Sequence, residues 1–126
     1  MNDFEKYNIE TKEKWEKTDA YSEHIEKTKN YSKDKWDSLV LEMDKIMIEF
    51  SLCMKNGNNP ESLEAVRLVE MLQEHITKNY YQCTNEILLS LGQMYVIDER
   101  FKNNIDKHSI GTAQFICEAI KSFSLK

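Results

Sequence analysis

Cys83 has the strongest claim to chemistry in this chain. It follows Tyr80-Tyr81-Gln82 and stands where a helix begins near Thr84. The partial positive charge of a helix N-terminus lowers a thiol pKa, and a thiolate held there would be a nucleophile. The competing reading is a buried cysteine that packs as a small hydrophobe. The three histidines, His24, His75 and His108, lie far apart and share no helix at metal-ligand spacing. His75 is the one with a setting for a haem ligand, but no second histidine stands at a distal position, so it reads as a half-exposed helix residue. Glycine-rich phosphate loops, a GxSxG elbow and an HExxH pair are absent. No catalytic set emerges, and neither a cofactor nor a metal is expected.

The segment that carries Cys83, Tyr80 to Asp106, reads YYQCTNEILLSLGQMYVIDERFKNNID. It holds hardly any charge before Asp98, then breaks into Asp98-Glu99-Arg100 and restarts at Phe101. A helix this apolar lines either a core or a pocket for an apolar ligand. The chain as a whole has six methionines and thirteen aromatics. Such side chains repack around irregular ligands at small cost.

The elements that must position these residues follow from composition and periodicity. At 126 residues the chain forms one domain with a core that needs no disulfide or metal. One proline and three glycines against many Lys, Glu, Leu, Met and Ile favour helices over strands and turns. A formal charge of −5 without a basic cluster argues against a nucleic-acid-binding face. No run reaches the roughly 18–20 apolar residues of a membrane span. MNDFEKYNIETKEKW has no apolar centre and is not a signal peptide. Cys53, Cys83 and Cys117 are an odd, widely spaced set, as expected of reduced thiols in a cytoplasmic protein.

Residues 1–37 hold ten acidic and eight basic side chains among scattered aromatics. Charge of that density marks residues 1–31 as an arm that is a weakly held helix or partly disordered. Trp15, Tyr21, Ile25 and Thr28 give it a sparse helical stripe, and residues 32–126 form the helical core. There, Ser32 caps a long helix whose stripe is Trp36, Val40, Met43, Met47, Phe50 and Met54, widened by Leu39, Ile46 and Cys53, with a glycine stop at Asn56-Gly57. Asn59-Pro60-Glu61 opens a third helix carrying Leu63, Val66, Val69, Leu72, Ile76 and Tyr80. A fourth begins near Thr84 and buries Ile87, Leu88, Leu91, Met94 and Tyr95. Gly92 within it points to close approach of another backbone or of a ligand. Asp98 caps a short fifth helix, and the last starts near Ser109. The fold class is all-α, with five or six helices on one core.

These motifs resemble the TipAS-type antibiotic-recognition domain of MerR-family multidrug-response activators. The match runs from Trp15 to about Ile120. It is carried by Trp15-x-x-Thr18-Asp19-Ala20-Tyr21, by Lys27 to Trp36, by Tyr81-x-Cys83, and by Leu91-Gly92-x-Met94-Tyr95-Val96-x-Asp98-Glu99-Arg100-Phe101 with Asn104-Ile105-Asp106 behind it. The resemblance implies a globin-like helical domain without haem that binds thiopeptides or other bulky peptide-like antibiotics in an apolar cleft. The residues it places at that cleft are Trp15, Tyr21, Tyr31, Phe50, Tyr81, Cys83, Ile87, Ser90, Leu91, Met94 and Tyr95. In full-length members a winged-helix domain and a long dimer helix precede this domain, so a homodimer is compatible with the family and direct nucleic-acid contact is not expected of this chain.

Two positions depart from the family pattern. Thiopeptide-binding members can carry, where this chain has Ser90, a cysteine that adds to a dehydroalanine of the drug. Serine is a far poorer nucleophile, so binding here is expected to be non-covalent unless Cys83 substitutes. Ile110-Gly111-Thr112 replaces a frequent Pro-Gly-Leu before the last helix. Residues from about Trp15 to Tyr31 are expected to form a lid that orders on ligand binding. The alternative from the residues alone is a helical protein-interaction module that takes a partner helix rather than a drug.

Overall fold

The computed structural model describes residues 19–125, with side chains from 22 onward; Trp15 lies outside them. Six α-helices are described, and no strand occurs among those residues. They are α1 Asp19–Thr28, α2 Lys33–Lys55, α3 Leu63–Asn79, α4 Asn85–Ile97, α5 Glu99–Asp106 and α6 Thr112–Ser124.

Side-chain caps set most of the boundaries. Ser32, Ser62, Thr84 and Asp98 each accept a hydrogen bond from a backbone N–H in the first turn of the helix that follows. At the end of α2, Gly57 takes a φ of +85°. Its N–H donates to the Met54 carbonyl, and that of Asn58 to the Cys53 carbonyl, the paired bonds of a Schellman stop. Asp98 closes α4 with its backbone N–H and opens α5 with its carboxylate, so the two helices join without a loop.

Two helix starts lie three residues later than the sequence reading placed them. Asn59 does not cap α3: its Oδ1 accepts from the Glu61 N–H at 2.8 Å, forming a local turn, and Ser62 caps instead. The last helix begins at Thr112 rather than near Ser109. Gly111, with φ of +97°, provides no side chain for the cap. Asp106, at the end of α5, reaches across the turn and accepts from the Ala113 N–H at 2.9 Å.

The core is built from Leu39 and Phe50 of α2, Leu68, Val69 and Leu72 of α3, Leu88 of α4, and Ile116 and Ile120 of α6, all fully buried. Helix α4 packs most extensively on α6, and α2 packs on α3 and α6. The buried line of α2 is Leu39, Ile46, Met47, Phe50 and Cys53. Trp36, Met43 and Met54 lie at its margin, while Val40 leaves the stripe at 48% exposure. Leu63, in the first turn of α3, is 89% exposed, because α3 starts before it reaches the core. Gly92 faces a side chain rather than a backbone: a Cβ there would stand 3.2 Å from Ile120 Cδ1. Its absence lets the Ile120 side chain of α6 lie against α4.

Candidate ligand-binding site

Helix α4 is apolar on nearly every side, with Glu86 as its one charged residue. A helix in a small domain can turn only part of its circumference inward. Leu88, Leu91, Gly92 and Tyr95 go into the core. Beside them runs a second stripe, Ile87, Ser90, Met94 and Ile97, at spacings of three, four and three, with Ile87 and Met94 packed against the edge of the core. Ile87 and Met94 are half-buried, Ser90 is exposed and Ile97 is 78% exposed. The stripe leaves apolar side chains at or near the surface along the length of α4.

Ser90 sits at the middle of the stripe. Its hydroxyl donates to the Glu86 carbonyl one turn back at 3.3 Å, an ordinary helix bond with no base among the described partners. It can meet a ligand as a polar contact.

The Cys83 thiol is a different case from the one its sequence position implied. It is 1% exposed, and burial pushes its pKa up to about 12. It precedes the capping residue Thr84, so the thiol gains little from the helix N-terminus, and the cost of burying a thiolate dominates. Its backbone instead ties the α3–α4 junction together. The N–H donates to Thr77 Oγ1 at 3.1 Å, and the carbonyl accepts from Gln73 Nε2 at 2.8 Å. Burial makes the Cys83 thiol a poor nucleophile in this state.

The remaining expected residues fall into two groups. Phe50, Leu91 and Tyr95 are buried core, with the Tyr95 ring 5.9 Å from that of Phe101. Tyr31 and Tyr81 belong to an aromatic cluster about the α3–α4 junction, joined by Trp36, Tyr80, His24 and His75. Tyr31 meets Trp36 edge-on at 5.5 Å, and Trp36 lies 6.1 Å from Tyr80. Tyr21 is on α1, but only its backbone is described.

Sequence reasoning missed His24, Tyr80 and His75 as a unit. Ile25, assigned to the inner stripe of α1, is 45% exposed, and the inward face is Glu23, His24 and Lys27. Glu23 Oε1 accepts from the Gln82 N–H at 2.6 Å, Lys27 Nζ donates to the Thr77 carbonyl at 2.7 Å, and the Tyr31 hydroxyl donates to the Asn79 carbonyl at 2.6 Å. Contacts to backbone groups leave no trace in residue patterning. The Glu23–Lys27 spacing, with the pair 3.6 Å apart, is the one available signal.

His75 is 8% exposed rather than half-exposed. Its Nδ1 lies 3.3 Å from Glu42 Oε2 and 3.3 Å from Asn79 Nδ2. Burial lowers its pKa, and the nearby Glu42 opposes that shift without overcoming it. Two depressions, of about 320 and 270 Å³, open between α2 and α3. Polar side chains line much of both, and none of the expected site residues does. Among the described residues, no three His, Cys, Asp or Glu side chains are placed to hold a metal ion, and no helix is long and apolar enough to cross a membrane.

The model of the TipAS antibiotic-recognition domain matches residues 7–123. The chain belongs to that family. It is 37% identical to the HTH-type transcriptional activator TipA of Streptomyces coelicolor over 118 residues, which is 94% of this chain and 47% of that protein. It is also 37% identical to the HTH-type transcriptional activator mta of Bacillus subtilis, over 79% of this chain and 38% of that one. The chain thus spans half or less of the length of these relatives. Among solved structures, TipAS of Streptomyces lividans in complex with nosiheptide superposes with a TM-score of 0.85 at 35% identity, covering 98% of this chain and 87% of that chain. The antibiotic-binding domain of a TipA-class multidrug resistance transcriptional regulator gives a TM-score of 0.64 at 33% identity, over 69% and 93% of the two chains. The all-α TipAS fold thereby accounts for the helices and for the signature on α4 and α5.

Proposed function

We propose that this domain captures bulky, apolar, peptide-like antibiotics, thiopeptides among them, by reversible contact with the outer stripe of α4 beneath the N-terminal arm. The observation that carries this reading is the stripe Ile87–Ser90–Met94–Ile97 in a TipAS fold, running from the junction where α1 is anchored. Tyr31 and Tyr81 line the anchored end, Leu91 and Tyr95 back the floor from within, and Phe50 belongs to the core beneath. Trp15 and Tyr21, on the arm, close over the ligand. The domain carries out no covalent chemistry. It works in the cytoplasm, as the effector part of a transcriptional activator or as a drug-sequestering protein, and touches no nucleic acid itself.

Titration of the purified chain with a thiopeptide panel tests the reading. Micromolar ligand shifts the tryptophan emission, and hydrogen exchange in residues 10–30 slows. Full protection of those residues in the free protein would refute the lid. No response across the panel, together with a stable protein complex by light scattering, would point to a helical interaction module instead.

A further inference from the structure

Helix α1 docks on the α3–α4 junction through one ring as well as through polar contacts. The His24 imidazole stacks on Tyr80, with ring centroids 5.9 Å apart and planes at 25°, and meets Tyr81 edge-on at 6.2 Å. Its Nδ1 is buried and has no hydrogen-bond partner. The two rings packed on it carry no charge. Tyr80 and Tyr81 are both buried, and burial pushes the Tyr80 phenol further from ionisation. Beyond Tyr80 stands His75, 6.1 Å away edge-on, with Glu42 held at the His75 Nδ1. On α1 itself, Glu23 is already occupied by the Gln82 N–H and Lys27, and Lys27 is a cation. A proton on His24 would place a charge between two tyrosine rings with an orphaned donor beside it, which burial disfavours.

We propose that His24 is a proton-sensitive latch: α1 docks on the junction with a neutral imidazole, and protonation of that ring releases the arm. Burial lowers the pKa of His24, which supports the geometric reading. The docked state therefore binds fewer protons than the free arm, and docking weakens as pH falls below the free imidazole value of about 6.5. Each pH unit below that value opposes docking by up to about tenfold, so that pH 5 costs up to about thirtyfold. The docking equilibrium stands on its own; its consequence, tighter drug capture at neutral than at acidic pH, rests on the lid reading above.

The Gln82 amide is the reporter, because its bond to Glu23 exists only in the docked arm. In ligand-free, isotope-labelled protein, the Gln82 amide resonance and the His24 ring resonances are followed from pH 7.5 to pH 5. Both move with one shared midpoint below 6.5, and in His24→Phe, which keeps the stack and cannot be protonated, Gln82 stays docked to pH 5. A His24 ring that titrates at or above 6.5 in the wild type, or a Gln82 midpoint that differs from it, overturns the proposal. So does the same Gln82 transition in His24→Phe, which would assign it to Glu23. A transition that survives in His24→Phe but vanishes in His75→Phe would move the switch to His75 and overturn it equally. Because no drug is present, failure of antibiotic binding leaves this test intact.

Discussion

Replacing Ser90 with cysteine would place a thiol at the centre of the α4 stripe, where a captured drug with a dehydroalanine would meet it. The hydroxyl is exposed and bonded only to its own helix among the described residues, so the substitution perturbs no packing. An exposed thiol ionises near 8.5, which leaves about a quarter of it as thiolate at pH 8. Cys83, at about 12, holds about one part in ten thousand as thiolate at that pH. The engineered thiol is thus favoured by about two thousandfold before access is counted. Cys53 and Cys117 are also buried, with burial raising the pKa of each thiol. Incubation of Ser90→Cys with a dehydroalanine-bearing thiopeptide should give one adduct by intact mass, mapped by peptide analysis to position 90. The wild type should bind without any adduct. An adduct on a native cysteine, or a mutant that binds the drug and stays unmodified, would refute the placement of the ligand over Ser90.

Three further changes test the elements that hold the site. Gly92→Ala gains about 1 kcal/mol of helix propensity but sets a Cβ 3.2 Å from Ile120 Cδ1, and Ile120 is fully buried. Overpacking costs about 1–3 kcal/mol, so urea unfolding should show a net loss of up to about 2 kcal/mol; Ile120→Val, which removes that methyl, should shrink the penalty, and equal penalties in both backgrounds would refute the contact. Asp98→Ala removes the cap that joins α4 to α5 and should cost about 1 kcal/mol near pH 7. Arg100 holds the Asp98 carboxyl below the usual carboxylate range, so this contribution is complete above the ordinary carboxylate range and is lost as pH falls through the lowered folded value; unfolding midpoints of wild type and mutant should draw together as the pH is lowered through the acid range. Tyr31→Phe deletes the 2.6 Å bond to the Asn79 carbonyl, worth about 1 kcal/mol, and should lower amide protection in α1 about fivefold while leaving that of the α3 core unchanged.

What was legible in the chain followed from how each signal arises. Caps that act on the next few residues, such as Ser32, Thr84 and Asp98, show in the sequence because donor and acceptor are neighbours. The Asp106 carboxylate, seven residues from the N–H it accepts, shows no such signature, and the start of α6 was accordingly misplaced. The apolar length of α4 announced a helix that lines a core or a pocket, yet periodicity cannot say which side meets α6. Gly92 settles that in three dimensions, since the side without a Cβ lets Ile120 approach. For Cys83, helix position and burial predict opposite shifts, and burial, which depends on the tertiary fold, wins. The anchoring of α1 was the least legible, because the polar contacts of Glu23, Lys27 and, just beyond the helix, Tyr31 all end on backbone atoms.

The stripe and the arm are linked by a simple energetic requirement. A patch on the order of 300 Å², ordinary for a monomer surface, contributes about 7–8 kcal/mol at about 25 cal/mol per Å². Association alone costs an estimated 4–15 kcal/mol in lost translational and rotational freedom. One face of α4 therefore leaves little surplus, and with serine at position 90 no covalent bond supplements it. A second wall must supply the difference. In the proposed reading the arm is that wall, and α1 is already fastened at the Thr77–Gln82 junction, next to the first turn of α4. If capture follows the proposed reading, it depends as much on how firmly α1 is held as on the stripe itself, and the groups that hold α1 are Glu23, His24, Lys27 and Tyr31.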